Sequence, residues 1–263
     1  MSILVCTTND KYLPITKTFL NSLFQNSDVF DNVIVRCVGF DYDYTHISDK
    51  IQTISDMTSL SKVKNMLSSD GEYINDYLSE GFKKSKIGVR GSRWLHSEEI
   101  AYCSNCKVLT ILYALKKYKT SVVYSDVDTI VRGDLTGLIN IVQQHDLSVV
   151  IDEPYSDQHV GSKRLSGHDK LYQGGLIGFK YSDKVLKFVA DWGDRVMSDY
   201  RDWDADEKYF YETLPDYNLD IGEIPLIYKD EELSIDSKLW SGAGTTKYHE
   251  DKYVTEYKKY NVE

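Results

Sequence analysis

The sequence predicts an α/β fold in which a mostly parallel central sheet is flanked by helices. Short apolar runs, typical of buried strands, alternate along the chain with amphipathic segments typical of helices, and this alternation indicates strand–helix–strand units. The chain has 263 residues, 41% of them hydrophobic and 13% aromatic, which is enough for one large core. Neither an internal repeat nor a linker divides it. We therefore expect a single domain over residues 1–263.

Strands are predicted where a short apolar run stands between turn-forming residues. The predicted strands cover residues 3–7, 32–38, 121–125, 147–151 and 174–179. The first is the run Ile-Leu-Val-Cys-Thr, and the third, Ser-Val-Val-Tyr-Ser, stands near the middle of the chain. The last begins with Gly174 and Gly175, so we expect it to start at a tight glycine turn.

Helices are predicted where apolar residues recur every three or four positions. The predicted helices cover residues 13–25, 98–118, 135–144, 182–200 and 205–213. The longest of them follows Ser97, a favoured helix N-cap, and its buried stripe includes Val108 and Ile111. Residues 41–97 are less regular, and we expect helical pieces and an insertion there. From residue 217 onward the pattern indicates short strands and a tail rich in tyrosine and lysine.

Nothing at the start of the chain predicts a secretion signal or a membrane span. Residues 1–6 carry no basic segment ahead of an apolar stretch, and no run of about 18 apolar residues exists, so we expect a cytoplasmic protein. The cysteines agree with a reducing compartment, because Cys6 and Cys37 stand in apolar strand-like runs. Cys103 and Cys106 form a C-x-x-C, which we interpret as two reduced cysteines on a helix, with half a zinc site or a redox pair as the alternatives.

The charge of the chain disfavours some partners. A net charge of −10 at pH 7 argues against broad attraction to nucleic acid or anionic lipid. Residues 81–97, however, carry lysines and arginines with no acid, whereas residues 201–232 are strongly acidic. The glycines of the basic segment predict a loop that can close over an anion. For the basic segment, solvated surface is the alternative interpretation; for the acidic segment it is the interpretation that we prefer.

The pair Asp126 and Asp128, which follows the apolar run ending at Tyr124, carries the most information about function. A buried carboxylate without a partner is costly, and two that repel each other need a neutralising cation. Hard oxygen ligands suit Mg²⁺ or Mn²⁺, typically in contact with a phosphate. Ligands of open α/β sheets bind beyond the carboxyl ends of the strands, where this pair is predicted to lie. A response-regulator pocket or a phosphatase has a similar arrangement, but the phosphatase motif usually follows the first strand.

Residues 124–135, Tyr-Ser-Asp-Val-Asp-Thr-Ile-Val-Arg-Gly-Asp-Leu, resemble the DxD region of the GT-A-fold glycosyltransferases. They are most similar to the retaining group that includes glycogenin and the bacterial lipopolysaccharide galactosyltransferases. The resemblance implies a nucleotide-diphospho-sugar transferase domain with a Rossmann-like sheet. It implies a nucleotide-binding half over 1–130, a donor-sugar and acceptor half over 131–248 and a C-terminal tail over 249–263.

The resemblance also implies residues that bind the nucleotide sugar. Segment 5–12 is similar to the family's start, so Tyr12 would stack on a uracil while Asn9 or Asp10 bonds to its edge; an ordinary strand–helix loop is the alternative. Lys107 stands where the family carries a basic residue near the diphosphate, more usually an arginine. The implied contacts are Thr7, Asn9, Asp10, Tyr12, Lys107, Ser125, Val127, Gly174, Gly175, Gly244 and Lys247.

Asp206 and Glu207 look like the family's Asp-Gln segment at a helix N-terminus. By this resemblance Asp206 binds hydroxyls of the donor sugar and Glu207, where glutamine is commoner, lies near the anomeric carbon. A carboxylate there can act as a nucleophile or stabilise an oxocarbenium ion. In an inverting relative, one of the two acids would be the base that deprotonates the acceptor. The alternative is that both acids only complement the helix dipole.

Residues 241–247 are similar to the family's closing His-x-x-Gly-x-x-Lys motif, in which the histidine is the third metal ligand and the lysine contacts the diphosphate. Gly244 and Lys247 match this motif, but Ser241 replaces the histidine and leaves the third ligand open. His249 stands close by, and we interpret it as a lone surface histidine.

Together these features predict a metal-dependent glycosyltransferase that uses Mn²⁺ or Mg²⁺ at Asp126 and Asp128. It would move a hexose from a nucleotide-diphosphate sugar, most simply a UDP-sugar, to a glycan or another hydroxyl-bearing acceptor, with retention implied by the resemblance. The alternatives are an inverting glycosyltransferase of the same fold, a sugar-nucleotidyltransferase and a non-catalytic metal-dependent carbohydrate-binding module. The nucleotidyltransferase is disfavoured because residues 7–10 lack its glycine-rich loop. A nucleic-acid acceptor is disfavoured by charge.

Overall fold

The computed structural model describes residues 1–62, 64–65, 96–152, 171–202, 205–241 and 246–261. Its strands are β1 (Ser2–Asn9), β2 (Asn32–Val38), β3 (Ile51–Asp56), β4 (Lys64–Asn65), β5 (His96–Ser97), β6 (Ser121–Ser125), β7 (Ile130–Val131), β8 (Leu147–Asp152), β9 (Leu171–Phe179), β10 (Ile221–Glu223) and β11 (Leu239–Trp240). Its α-helices are α1 (Leu13–Asn26), α2 (Glu98–Asn105), α3 (Lys107–Tyr118), α4 (Thr136–Gln144), α5 (Asp183–Ser198), α6 (Ala205–Thr213) and α7 (Asp251–Tyr260).

Most pairs in the central sheet are parallel, as the sequence predicts. In the described part of the chain the sheet has seven strands in the order β10-β8-β9-β6-β1-β2-β3. β1 pairs in parallel with β2 and β6, β2 with β3, and β8 with β10. Among these seven strands, β9 alone is antiparallel to its two neighbours, β6 and β8. The carboxyl ends of β1 and β6 therefore lie at the same edge of the sheet.

Alternation along the central strands builds two hydrophobic cores, one on each face of the sheet. Leu4 and Cys6 of β1 pack with residues of α1 and α4, whereas Ile3 and Val5 pack with residues of α3 and α5. This division follows from the period of two of a strand. Each fully buried leucine or phenylalanine contributes ~1.5–3 kcal/mol, so the two cores fix the sheet against its helices.

The predicted helix over 98–118 is in fact two helices. Ser97 caps α2 as predicted, because its side chain accepts a hydrogen bond from the Ile100 N–H. The break falls at Cys106, whose ψ of −1° departs from the helical value of about −42°. Neither glycine nor proline marks this position, so the sequence contains no signal for the break. The break at Cys106 places Lys107 in the first turn of α3.

The prediction that a glycine turn starts the strand at 174 is wrong. β9 begins at Leu171, and Gly174 and Gly175 lie inside the strand; at Gly175 the site leaves no room for a side chain. β3 is a strand that the sequence analysis missed within segment 41–97. Residues 63 and 66–95 of that segment, which include 81–95 of the basic segment, lie outside the described residues.

The C-terminal segment is a helix where the sequence predicts a tail. α7 packs on α1, and Asn21 and Asn26 of α1 donate hydrogen bonds to the Tyr260 carbonyl and hydroxyl oxygens at 3.0 and 2.9 Å. Among the described helices, none is long and apolar enough to cross a bilayer.

Candidate active site

Asp126 stands directly after β6 and is held by the neighbouring strand. Its N–H donates to the Gly175 carbonyl oxygen at 2.9 Å, and the Tyr124 hydroxyl donates to its Oδ1 at 2.7 Å. Burial raises the pKa of this carboxyl, and the negative charge of Asp128 adds to the rise. The ammonium groups of Lys107 and Lys229 act in the opposite direction. A positive ligand would favour the charged form further.

Asp128 is tied to the C-terminal part of the chain. Lys247 Nζ lies 2.6 Å from Asp128 Oδ2, 2.7 Å from the Asp128 carbonyl oxygen and 2.6 Å from the Ser241 carbonyl oxygen. The Tyr253 hydroxyl also donates to the Asp128 carbonyl oxygen, at 3.1 Å. An ammonium has three N–H donors, so protein acceptors use all those of Lys247. Its predicted contact with a diphosphate would require one of these bonds to break.

Lys107 and Asp206 form a buried ion pair. Lys107 Nζ lies 2.6 Å from Asp206 Oδ2 and 3.4 Å from the Gly174 carbonyl oxygen. Burial alone would lower the pKa of Lys107, but the carboxylates of Asp206 and Asp126 raise it above its usual value. The structure thus brings the predicted basic residue of α3 and the predicted acid of α6 together, and both lie beside β9.

Asn105, which the sequence analysis missed, fixes the start of α6. It is fully buried; its Nδ2 donates to the carbonyl oxygens of Tyr200 and Asp202 at 2.8 and 2.7 Å, and its Oδ1 accepts from the Asp206 N–H at 2.9 Å. Trp192 Nε1 donates to the Asp206 carbonyl oxygen at 2.9 Å. These contacts position the Asp206 backbone from both sides. No sequence signal finds Asn105, since its partners lie about a hundred residues away.

The two glycines of β9 face opposite sides, as neighbours in a strand do. A Cβ on Gly174 would lie 3.5 Å from Glu207 Oε1 and 3.6 Å from both Asp206 Oδ2 and Lys107 Nζ. Beside Gly174 is a cavity whose lining includes Tyr172, Gln173, Asp206, Glu207, Phe210 and Tyr211. This side therefore combines carboxylates with a concave aromatic surface, which suits a sugar.

On the other side, a Cβ on Gly175 would lie 2.7 Å from Asp126 Oδ2 and 3.2 Å from Lys229 Nζ. Lys229 is a further residue that the sequence analysis missed. It is buried and follows the 3₁₀ turn Leu226–Tyr228. The sequence signal for it was slight, because a single lysine ends the mostly apolar run Ile-Pro-Leu-Ile-Tyr-Lys and three acids follow it.

The predicted nucleotide-binding residues differ in how much of each is open to a ligand. Tyr12 is 41% exposed, and burial of the rest of its ring, with the charges of Asp128 and Asp126, raises the pKa of its hydroxyl. Tyr12 therefore lies close to the aspartate pair. Asn9 Oδ1 accepts from the Tyr12 N–H at 3.3 Å, and Asp10 pairs with Lys62 at 3.0 Å.

Three other predicted contacts present little side chain to solvent. Thr7 Oγ1 donates to the Cys103 carbonyl oxygen at 3.1 Å, and Ser125 Oγ donates to the Asp126 carbonyl oxygen at 3.1 Å. The Val127 side chain packs in the core on the α1 face of the sheet. Any ligand contact of Ser125 and Val127 would therefore be through their backbone. The predicted contact Gly244 lies outside the described residues.

Tyr248, which the sequence analysis did not single out, lies near the same loop. Its hydroxyl is buried and has no hydrogen-bond partner among the residues that the structure describes. Burial raises the pKa of this hydroxyl, and the nearby Asp128 carboxylate and Tyr12 contribute to the rise. The aspartate loop therefore has a tyrosine from each end of the chain beside it.

The aspartate pair fits a divalent cation of the Mg²⁺ type. Within the described ranges, no cluster of three or more His, Cys, Asp or Glu side chains is suited to one metal ion. Ser241 does not replace the missing histidine, because it is 2% exposed and its Oγ lies 3.4 Å from the Asp230 carbonyl oxygen. His249 is exposed, as predicted. Mg²⁺, however, usually binds one or two carboxylates and completes its shell with water and substrate phosphates.

The C-x-x-C motif adds no metal site to this part of the chain. Cys103 and Cys106 are both free thiols. Burial raises the pKa of Cys106 to about 12, so its thiol stays protonated and is a poor ligand. This agrees with the interpretation of two reduced cysteines.

Comparison with known proteins adds a family and a set of similar folds. The family model described as glycosyl transferase family 8 matches residues 3–191. The galactosyltransferase LgtC, solved with donor and acceptor sugar analogues, has a TM-score of 0.55 and 14% identity over 99% of this chain and 94% of that chain. An active-site mutant of LgtC gives a TM-score of 0.55 and 15% identity over the same shares. The apo glycosyltransferase GlyE of Streptococcus pneumoniae TIGR4 gives 0.53 and 10% over 100% of this chain and 60% of that chain. No curated protein matches the sequence.

Proposed function

Because this chain belongs to glycosyl transferase family 8, we propose that it transfers a hexose from a UDP-sugar to a hydroxyl acceptor with the help of a divalent metal. Family membership and the LgtC-like fold confirm the predicted GT-A glycosyltransferase and its enzymatic nature. They also favour this activity over a sugar-nucleotidyltransferase or a non-catalytic binding module.

The observation that carries the proposal is the presence of two pairs of acidic residues, one pair on each side of β9. Asp126, with Asp128 two residues further along the chain, lies by Gly175, and Asp206 and Glu207 lie by Gly174. The first pair suits a cation bound to a diphosphate, and the second suits a sugar. A nucleotide-diphosphate sugar has these two parts joined by one bond, so it can span the strand with its anomeric carbon between them.

In this proposal Asp126 and Asp128 hold Mn²⁺ or Mg²⁺. When bound, such an ion stabilises the charge that develops on the leaving diphosphate. Tyr12 lies against the base, since its ring is partly exposed and close to the aspartate pair. Lys107 keeps Asp206 in place through the 2.6 Å ion pair, and Asp206 accepts hydrogen bonds from hydroxyls of the sugar.

Glu207 is the better candidate for the reacting carboxylate. Asp206 is 5% exposed and already paired with an ammonium, whereas Glu207 is partly exposed on the cavity side of Gly174. The bond from the anomeric carbon to the diphosphate breaks with its electron pair on UDP, and the acceptor oxygen forms the new bond and gives its proton to an oxygen of the leaving diphosphate. We propose retention, with Glu207 stabilising the cationic sugar. In an inverting enzyme Glu207 would instead take that proton.

The test is release of UDP from UDP-glucose with Mn²⁺, for the wild type and for Asp128→Asn. The variant keeps an acceptor for Lys247 but loses the charge, so we expect UDP release to fall by roughly 100-fold or more. The melting temperature should also fall, because the buried Lys247 ammonium loses its ion pair, and the assay is therefore run well below it. UDP-galactose and GDP-sugars, each with Mn²⁺ or Mg²⁺, are the further substrates. If the wild type binds and hydrolyses no nucleotide sugar with either metal, the proposed function is wrong.

A further inference from the structure

Lys229 differs from the other two buried lysines of the site because no residue that the structure describes accepts a hydrogen bond from its ammonium. Lys107 and Lys247 each lie 2.6 Å from a carboxylate oxygen. The ammonium of Lys229 makes no hydrogen bond to the residues that the structure describes, and its nearest acid is Glu231, whose Oε1 is 3.9 Å away. Its side chain is only 10% exposed.

A mostly buried ammonium without a protein acceptor is unusual, because charges at such positions are normally paired. An ammonium carries three donors, and within the described part of the chain none of the three is used by the protein. Such an ammonium is expected where an anionic group of the substrate supplies the missing counter-ion.

The position of Lys229 identifies which part of a nucleotide sugar it would meet. A Cβ on Gly175 would lie 3.0 Å from Lys229 Cε and 2.7 Å from Asp126 Oδ2, so the lysine end and the aspartate share one side of β9. The carboxylates that suit the sugar, Asp206 and Glu207, lie on the other side, by Gly174. Lys229 is therefore on the side of the cation and the phosphates.

We propose that Lys229 binds the diphosphate of the donor. This rests on the proposed function, and it gives Lys229 the contact that the closing motif assigns to Lys247. Lys247 instead joins the Asp128 loop to the C-terminal segment, because its three donors are used by Asp128 and Ser241. Lys229 and the metal would then neutralise the leaving diphosphate from the same side of the strand.

The experiment compares Lys229→Met with Lys229→Arg and with Lys238→Met, a control on the same segment whose side chain packs on Gly133. Calorimetry in Mn²⁺ measures binding of UDP and of uridine to each full-length variant. For Lys229→Met we expect the affinity for UDP to fall by roughly 10- to 100-fold, as for a lost charge-assisted hydrogen bond, and the affinity for uridine to stay within about twofold. Lys229→Arg keeps the charge and regains most of the affinity for UDP. Lys238→Met binds both ligands like the wild type.

A second readout separates this role from a structural one. Methionine removes a charge that has no hydrogen-bond acceptor among the described residues and leaves an apolar side chain at a mostly buried position, so the melting temperature of Lys229→Met without ligand should equal or exceed that of the wild type. A fall in melting temperature with unchanged UDP affinity would overturn the inference, since it would make Lys229 a structural partner of Glu231. The inference would also be overturned if Lys229→Met lost affinity for UDP-glucuronic acid, whose sugar carries a carboxylate, but not for UDP-glucose. If the wild type binds no nucleoside diphosphate, the proposed function fails first.

Discussion

Replacing Gly175 with alanine adds one methyl group where the site has no room for it. The new Cβ would lie 2.7 Å from Asp126 Oδ2 and 3.0 Å from Lys229 Cε. Ordinary contacts of this kind are about 3.5 Å, so Asp126 must move by roughly 0.8 Å. The lysine end can bend away, but the Asp126 carboxylate cannot easily do so because Tyr124 holds its other oxygen at 2.7 Å.

A displacement of this size should be visible in function. Misplacing a reacting or binding group by about 1 Å costs roughly 100-fold in rate, and we expect Gly175→Ala to lose a similar factor in kcat/KM for the nucleotide sugar. Affinity for UDP in Mn²⁺, measured by calorimetry, should fall at least tenfold, because a displaced Asp126 no longer meets the cation. The backbone tolerates alanine, since no left-handed φ occurs at this glycine.

Gly174→Ala is the matched control for this prediction. Its methyl group would lie 3.5 Å from Glu207 Oε1, an ordinary contact, on the side away from Asp126. We expect UDP to bind to this variant within about threefold of the wild type. A folded Gly175→Ala protein that binds UDP as tightly as the wild type would refute the reasoning, and so would equal losses in the two variants.

Three further predictions follow from contacts within the site and within the surrounding fold. Asn105→Ala leaves the Asp206 N–H and two carbonyl oxygens without their partner, so urea denaturation should report a free energy of unfolding lower by about 2–4 kcal/mol, and the loss in kcat should exceed any change in KM. Asp56 accepts hydrogen bonds from Thr58, Arg36 and Tyr102, and together these outweigh burial and lower its pKa. The stability that its charge contributes is therefore present above about pH 3.9 and is lost as the pH falls through the lower, folded-state pKa, so the melting temperatures of wild type and Asp56→Asn should converge as the pH falls below about 3.9. Chelation by EDTA should weaken UDP binding by roughly tenfold or more, and added Mn²⁺ should restore it; binding that is indifferent to EDTA would exclude a metal role.

The parts of this fold that follow from local pattern could be predicted from the sequence. The strand before Asp126 is a plain apolar run, and the period of α1 and α5 shows directly which side of each helix is buried. The break at Cys106 could not be predicted, because no glycine or proline marks it and it depends on how α2 and α3 meet the rest of the fold.

Some residues of the site could likewise be predicted from the sequence and others could not. Asp126 and Asp128 could, because two acids one residue apart after a buried strand need a neutralising partner. Asn105 and Lys229 could not, because their importance lies in contacts with Asp206 and Gly175, which are distant in sequence. Lys247 shows a further limit. A motif predicts that a lysine is present near the diphosphate, but only the folded chain shows which acceptors already use its three donors.

The hydrogen bonds from the C-terminal segment to the Asp128 carbonyl oxygen have a thermodynamic consequence. Lys247 and Tyr253 both donate to that one atom, and α7 continues from there onto α1. Local opening of the segment, of the kind that amide hydrogen exchange detects, would release the loop that carries Asp128. A ligand that binds only when the loop is in place must then suppress the opening, and by reciprocity any contact that steadies α7 must tighten the ligand. Slower exchange of the α7 amides would thus report occupancy of a site whose loop the helix meets through the Tyr253 hydroxyl.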